Sequence, residues 1–448
     1  MDEAVTYDMA HRPLPALWAT LGHADAVHGL YYLLMHGVFR LWEGGVVPLR
    51  LPSVVAMACA AAGVAAIGRR LVGPRCGLAA GVVFTLLPAV QRYAQEGRSY
   101  ALVTALVVGA TWALLRVCAY PRFTAWAGYG MLVFLATLLH EFAVLVLAAH
   151  GLTLFVARVP RAVAWAWGAV AACSVTLAVP LVLLSMRQAQ QVAWIDVSFT
   201  GDVAGFALLA VVGLVCARLL TRFGTGGHRA HPAAVDLPSL SLPLLLVPPV
   251  LLLLASTVKP LYVDRYVLYA QAGLALLAGT ALEVLWEALH RRRGIVLAAV
   301  VAAALAVEVP AASHLRSPAS RADDVTAVSY ALEQAARPGD GVLFVPGSRR
   351  VWALQRTPKS LGLADLSLAS SPRVSRTLYG TEVPPDVLRQ RMLRASRIVV
   401  LREPVRVAAE STEVERVKQR LLKRWFTPCS SRVVRTARIE VHARKGKC

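Results

Sequence analysis

Charge is scarce along this chain. Of its 448 residues only 16% are Asp, Glu, Lys or Arg, against 57% hydrophobic residues. That balance excludes an ordinary soluble protein and implies a membrane protein with a soluble appendix. Acidic residues are scarcer still, 26 against 47 basic ones, for a formal net charge of +21. The excess is uneven: from Arg316 onward 26 basic side chains face 12 acidic ones, as suits a domain resting near anionic headgroups. No zinc spacing, RNA-binding signature or basic zipper accompanies that surplus, so nucleic acid is excluded as a partner. The seven cysteines include no CxxC, which argues against a thiol-ligated metal. Cys59, Cys76, Cys118, Cys173 and Cys216 lie in or beside apolar runs, where a thiol behaves as a small hydrophobe. Only Cys429 and Cys448 are placed to pair outside a membrane.

What is abundant is apolar sequence in long blocks. Met1–Gly45 is too polar for a span and carries no signal peptide. Within it Leu30–Trp42, LYYLLMHGVFRLW, is shorter than the ~20 residues needed to cross and reads as an interfacial helix ended by Gly44-Gly45. Ten runs follow: Leu51–Ile67, Gly77–Val90, Ala101–Ala119, Thr124–Leu139, Phe142–Val156, Ala162–Leu184, Val203–Leu220, Leu237–Thr257, Val267–Ala288 and Val296–Ala312.

Their connections alternate in basicity. The set holding Arg69, Arg70, Arg75, Arg116, Arg122, Arg158, Arg161, Arg218, Arg222, Arg229 and Arg291–Arg293 is predicted to be cytoplasmic. The opposite set, holding only Arg92, Arg98, Arg187, Lys259 and Arg265, is then outside with Met1–Gly45 and the C-terminal domain, at a bacterial plasma membrane. An even number of spans leaves Met1 outside, so one further span is expected upstream. Beyond Ala319 the pattern becomes that of a small α/β domain: helix over Asp323–Ala336, strand over Gly341–Val345, strand over Arg397–Leu401, basic helix over Glu413–Trp425, and strand over Ser431–His442. It contains no Gly-rich phosphate loop and no nucleophile motif. Three regions result: a loop with its interfacial helix (1–50), a transmembrane helical domain (51–315) and a basic soluble domain (316–448).

The decapeptide Gln91–Tyr100, QRYAQEGRSY, sets Arg92, Glu96, Arg98 and Tyr100 between two nearly uncharged runs. A charge at the bilayer centre costs ~2.5–3.5 kcal/mol on insertion scales, so this stretch belongs at a membrane face or in a wet cavity. Three other polar clusters share its side: Asp2-Glu3 with Asp25 and His28; His140-Glu141; and Lys259, Asp264, Arg265 and Tyr266. Guanidinium and carboxylate groups together suit chemistry on a lipid-linked phosphate, the arginines holding it and a carboxylate accepting a hydroxyl proton. A static salt-bridge network closing the helix ends is the plainer alternative. His28, His36, His140 and His150 admit a divalent metal, but single interfacial histidines more often make ordinary hydrogen bonds, and no metal ligand is assigned.

Taken in order, the Asp2-Glu3 pair, DAVHGLYYLLMH, LRLPSVV, YAQEGRSYAL and PLYVDRYVLYA resemble the polyprenyl-phosphate-sugar glycosyltransferases of the GT-C superfamily. Within it they are similar to the bacterial protein-mannosyltransferase-like, actinobacterial mannosyltransferase and aminoarabinose-transferase-like members. The resemblance spans roughly Met1–Gly279 and continues into RADDVTAVSYALEQAARPGDGVLFV. Relatives usually have a Pro-Pro-Leu-Tyr stretch after the loop aspartate, whereas this chain has Val27-His28-Gly29-Leu30-Tyr31.

The resemblance implies a GT-C-type polytopic α-helical protein with an external α/β domain. Its implied activity moves a sugar, mannose first, from a polyprenyl-phosphate donor to an acceptor hydroxyl by inverting displacement. Asp2, with Glu3 beside it, takes the place of the catalytic base. Arg98 and Arg265, helped by Arg92 and Lys259, would hold the donor phosphate; Glu96 would orient Arg98, and Asp25, His28 and Tyr100 are orienting or acceptor-side residues. The acceptor would be a protein, glycolipid or polysaccharide. A transporter or flippase of a lipid-linked or anionic solute is the alternative of a different class, and a non-catalytic envelope scaffold a third. Transporters tend to carry internal repeats and charge at the bilayer midplane, whereas here the charges gather at external helix ends.

Overall fold

A computed structural model describes residues 2–42, 45–188, 199–223, 235–288, 325–353, 358–403, 412–435, 437–444 and 448, with isolated positions between 294 and 317. The chain divides into two compact units. One comprises Asp25–Leu34 and Trp42–Ala312; the other comprises Met1–Ala24, Met35–Leu41 and Ser313–Cys448.

The first unit is helical. It contains α4 (Val46–Leu71), α5 (Pro74–Leu86), α6 (Pro88–Ala94), α7 (Tyr100–Ala119), α8 (Phe123–Leu139), α9 (Val146–Val156), α10 (Arg161–Arg187), α11 (Phe199–Phe223), α12 (Leu237–Ser256) and α13 (Gln271–Ala288). Among the described residues six helices are long and apolar enough to cross a membrane, seven if α5 and α6, bent by 65°, count as one span. The sequence predicts one span over Gly77–Val90. Pro88 breaks it, because proline has no N–H to donate and its ring clashes with the preceding turn. The helices Phe123–Leu139 and Glu141–Val156 coincide with two further expected runs but are shorter than the ~20 residues of a straight span. The tenth run, Val296–Ala312, lies largely outside the described residues.

Small residues let these helices approach closely. A side chain at Gly77 would meet the Ala65 carbonyl and the Arg69 backbone of α4, and one at Gly279 would meet the Ala80 backbone of α5. Close backbone approach of this kind substitutes for the hydrophobic drive that lipid cannot supply between helices. Among α7, α8, α9 and α10 the core is Leu114, Tyr129, Val133, Leu154 and Val163. His150 lies inside it, fully buried. Trp167 Nε1 donates to the Tyr129 hydroxyl at 3.1 Å, Tyr129 lies 3.0 Å from His150 Nδ1, and His150 Nε2 lies 3.0 Å from Thr111 Oγ1, which donates to the Val107 carbonyl. With Nε2 carrying the proton, both ring nitrogens are satisfied. The metal option for His150 gives way to a structural role.

In the second unit α1 (Asp2–His11) and α2 (Leu14–Leu21) accompany an α/β domain. Arg12 is buried; it binds Asp8, donates to Thr20 Oγ1 at 2.8 Å, and donates to the Thr377 carbonyl at 3.1 Å. The helix α3 (Gly29–Leu41) matches the expected interfacial helix to within a residue at either end, and contributes to both units. Its His36 Nδ1 donates to the Ala10 carbonyl at 2.8 Å, again an ordinary hydrogen bond.

The domain's sheet runs β2 (Ala364–Asp365), β1 (Gly341–Val345), β5 (Arg397–Arg402), β7 (Ala437–Arg444), β6 (Phe426–Val434). The pairing of β1 with β2 and β5 is parallel, whereas β7 is antiparallel to both β5 and β6. A two-stranded ribbon, β3 (Leu368–Ser370) and β4 (Thr381–Glu382), stands apart from it. Helices α14 (Val325–Ala335), α15 (Pro385–Arg394) and α16 (Glu413–Trp425) complete the layer, with Leu388, Met392, Leu421 and Leu422 packed on Leu343, Ile398 and Val400.

The expected strands Gly341–Val345 and Arg397–Leu401 and the helix Glu413–Trp425 are all present. The expected single strand Ser431–His442 is instead a hairpin, turned at Arg435, whose φ of 57° is left-handed. Cys429 and Cys448 form a disulfide.

Beneath α16 lies a buried ion network. Lys418, 0% exposed, donates to Glu415 at 2.7 Å, to Glu382 at 2.8 Å and to the Phe344 carbonyl at 2.9 Å. Removing one member of such a group leaves an uncompensated buried charge, which costs about 3–5 kcal/mol. Lys418→Met is therefore expected to lower the thermal midpoint of this domain sharply, by a large part of its stability. An unchanged melt of the full chain, followed by hydrogen exchange in β1 and β5, would contradict that.

Candidate functional site

Four connections within the helical unit bring polar side chains together: residues 25–28 before α3, 95–99 between α6 and α7, 140 after α8, and 264–270 before α13. Asp25 opens the first with a left-handed backbone, φ 59°, a conformation that Asp tolerates better than most residues. Its carboxylate accepts a short hydrogen bond from the Tyr32 hydroxyl, and Arg98 Nη1 donates to that same hydroxyl at 3.1 Å. Asp25 and Tyr32 are seven residues apart, so Tyr32 reaches back along α3 to the residues that precede it. Its body is 0% exposed and Arg98 is 6% exposed. The result is a buried cation whose direction is set by a phenol, itself anchored by a carboxylate.

The segment carrying Arg98 is held by its backbone. Ser53 Oγ of α4 donates to the carbonyls of Glu96 at 2.6 Å and Arg98 at 3.2 Å. Gly97 is pressed onto α4 so tightly that a Cβ there would lie 2.6 Å from Leu49 Cγ and 3.1 Å from the Leu49 carbonyl. Gly97→Ala is expected to displace Arg98 at an overpacking cost of ~1–3 kcal/mol. If Arg98 holds the donor phosphate, as the family resemblance implies, donor binding should weaken in that variant more than thermal stability suffers, and an unaltered affinity would mean that Arg98 does not depend on this contact.

An aromatic wall joins Arg98 to Arg265. Tyr100 stands 6.3 Å from His28, 5.5 Å from His140 and 6.0 Å from Tyr266 between ring centres, and His140 and Tyr266 are 4.5 Å apart. Arg265 lies over the Tyr100 ring at 5.3 Å and the Tyr266 ring at 5.9 Å, cation–π geometry that fixes a guanidinium without neutralising it. Tyr93 donates to Asp264 Oδ1 at 2.8 Å, and the same oxygen accepts from the Arg265 backbone N–H, so Asp264 ties the 91–100 segment to the 264–270 segment.

Burial holds His140 well below the ordinary histidine range, with His28, Arg265 and Arg98 adding to the effect. It is neutral at pH 7, and its Nδ1 is buried without a hydrogen-bond partner among the described residues. Two arginines thus both act on one neutral imidazole, a setting for an anion.

Of the residues singled out by the sequence, Asp25, His28, Arg98, Tyr100 and Arg265 meet here. Arg92 is exposed and lies over its neighbour Tyr93; Lys259 is exposed after the end of α12. Asp2 and Glu3 belong to the other unit, in the first turn of α1, where negative charge also favours the helix dipole. The side-chain partner of Arg98 that the sequence did not reveal is Tyr32. Among the described residues no three His, Cys, Asp or Glu side chains gather as a metal-holding set.

Residues 29–184, which include Tyr32, Arg98, Tyr100 and His140, match the family model described as dolichyl-phosphate-mannose-protein mannosyltransferase. No curated protein is significantly similar to the chain. Its structure is similar to the crystal structure of ArnT from Cupriavidus metallidurans in the apo state, with a TM-score of 0.55 and 14% identity over 98% of this chain and 95% of that one. The same protein bound to undecaprenyl phosphate gives a TM-score of 0.49 at 14% identity, over 99% of this chain and 96% of that one. At such identity the likeness to ArnT is one of fold. Family match and fold agree, and the resemblance to the GT-C glycosyltransferase superfamily read from the sequence is borne out.

Proposed function

We propose that this chain is a membrane glycosyltransferase that moves a sugar from a polyprenyl-phosphate donor to an acceptor hydroxyl. The observation that carries the proposal is Arg98, buried and aimed by Tyr32 and Asp25 beside Arg265 on its aromatic wall. A forked guanidinium suits the two free oxygens of a lipid-linked phosphate, and its charge offsets the negative charge that grows there as the glycosidic bond breaks. Asp25 keeps the fork in register. His140, neutral, can give or take a hydrogen bond without opposing the anion.

The proton acceptor is Asp2 by the family resemblance, with Glu3 beside it. Asp2 takes the proton as the acceptor oxygen bonds to the anomeric carbon. The bond from that carbon to the phosphate oxygen breaks, polyprenyl phosphate leaves with the electron pair, and the configuration inverts. Mannose is the sugar by the family's description, and a protein, glycolipid or polysaccharide hydroxyl is the acceptor. Incubating membranes that contain the full chain with radiolabelled polyprenyl-phosphate mannose should move label onto a lipid, protein or glycan acceptor. Label that only changes leaflet, with no transfer, would replace this reading with that of a flippase.

We further propose that the site and the C-terminal domain face outward. The positive-inside pattern supports this, and so does the Cys429–Cys448 disulfide, a bond that persists in oxidising compartments. Thiol blocking before lysis, followed by mass spectrometry, should recover these two cysteines as linked peptides. Recovery of both as alkylated thiols would place the domain in the cytoplasm.

A further inference from the structure

The α/β domain has a cavity of its own, independent of the glycosyl-transfer reading. It is about 220 Å³, and Gly347, Ser348, Tyr379, Glu382, Thr412 and Glu415 are among its lining residues. Arg350 lines it and Lys418 is bound to its two glutamates, and both cations spend their protons on protein acceptors. Arg350 Nε and Nη2 donate to Asp365, Nη2 also to Ser367 at 3.1 Å and Glu382 at 3.4 Å, and Nη1 to the carbonyls of Tyr379 at 2.8 Å and Gly347 at 3.3 Å. Lys418 is occupied by Glu415, Glu382 and the Phe344 carbonyl.

What is left over is acceptor capacity. Glu415 side-chain burial is 95% by its 5% exposure. One of its oxygens takes the Lys418 ammonium and the Gly347 N–H at 3.0 Å, while Oε2 is buried without a partner among the described residues. An orphaned buried carboxylate oxygen carries the full cost of its lost hydration, which a ligand donor would relieve. Charge points the same way: Arg350 and Lys418 face three carboxylates, Asp365, Glu382 and Glu415. An anion is therefore excluded. A metal ion is disfavoured because the Lys418 ammonium already stands between the two glutamates.

We propose that this cavity binds the primary ammonium group of a small ligand, with Glu415 and Glu382 accepting its N–H protons. An ammonium has three donors, one positive charge and no acceptor, which complements a wall of carboxylate and hydroxyl oxygens. Burial raises the Glu415 carboxyl above its ordinary range despite Lys418 beside it. An amino sugar and a headgroup-type amine share this chemistry.

The test uses the full chain in phosphatidylcholine nanodiscs and saturation-transfer NMR with four probes: D-glucosamine, ethanolamine, D-glucose and ethylene glycol. The amines should show transfer and their hydroxyl counterparts none. A response to glucosamine alone would assign an amino sugar, and one to both amines a general ammonium site. Glu415→Gln and Ser348→Trp, the second filling the cavity without touching the ion network, should each weaken amine binding at least tenfold. If Glu415→Gln also lowers the melting point, Ser348→Trp decides. Equal transfer to glucose and glucosamine, or wild-type amine binding in Ser348→Trp, would overturn the proposal.

Discussion

Arg98→Ala should weaken donor binding by about 2–4 kcal/mol, roughly 30- to 1000-fold in apparent affinity. Arg98 is 6% exposed and already oriented before any ligand arrives. Its loss removes both a forked contact to phosphate and the charge that meets the leaving group, so kcat should fall along with donor affinity. Arg98→Lys should recover only part of the loss, because a point charge lacks the fork and cannot reproduce its register with the Tyr32 hydroxyl. Tyr32→Phe should show a smaller defect, about 1.5–3 kcal/mol, since it removes the hydroxyl that bridges the Asp25 carboxylate and the Arg98 guanidinium but leaves the guanidinium in place. The check is titration with polyprenyl phosphate of the wild type and the three variants. Equal affinities throughout would detach this network from the donor.

Asp2→Asn should do something different: a fall in kcat of about 10²–10⁴-fold with donor affinity nearly unchanged, the mark of a lost general base. Asparagine keeps the size and hydrogen-bonding shape at the start of α1 but cannot take the acceptor proton. Asp25→Asn, by contrast, should act through Arg98 and weaken donor binding. The two aspartates are thereby separable: one variant changes turnover, the other affinity. Undiminished turnover in Asp2→Asn would move the base elsewhere, Asp25 being a carboxylate joined to Arg98 through Tyr32.

Much of this architecture is legible in composition and periodicity because lipid leaves few choices. A span must be apolar and about the right length, so nine of the ten expected runs fall on helices in the described residues. What composition hides is local backbone chemistry. The run Gly77–Val90 is apolar throughout, yet Pro88 bends it by 65° and so aims the following segment toward α4. Likewise Ser431–His442 alternates as a strand should, and its reversal at Arg435 depends on a left-handed residue with no Gly to mark it.

At the site, charge was the visible signal and aromatic hydroxyls the hidden one. Arg98 and Arg265 stand out because charge between apolar runs needs a reason. Tyr32, inside LYYLLMH, looks like packing, and only the fold shows its hydroxyl set between Asp25 and Arg98. Histidines misled in the opposite direction: His150 attracts attention by type but is satisfied by Tyr129 and Thr111. In the α/β domain, the ion network around Lys418 joins residues from 344 to 418, too far apart in sequence for any local pattern to reveal.

We propose that the donor phosphate rests against Arg98 and Arg265, and a density map of the full chain in nanodiscs with a bound polyprenyl phosphate tests this directly. The phosphate should lie within hydrogen-bond reach, about 2.7–3.2 Å from guanidinium nitrogen to oxygen, of Arg98, with Arg265 on its other side and Tyr32 still joining Arg98 to Asp25. A phosphate bound elsewhere on the helical unit, with Arg98 unmoved and unengaged, would contradict the account.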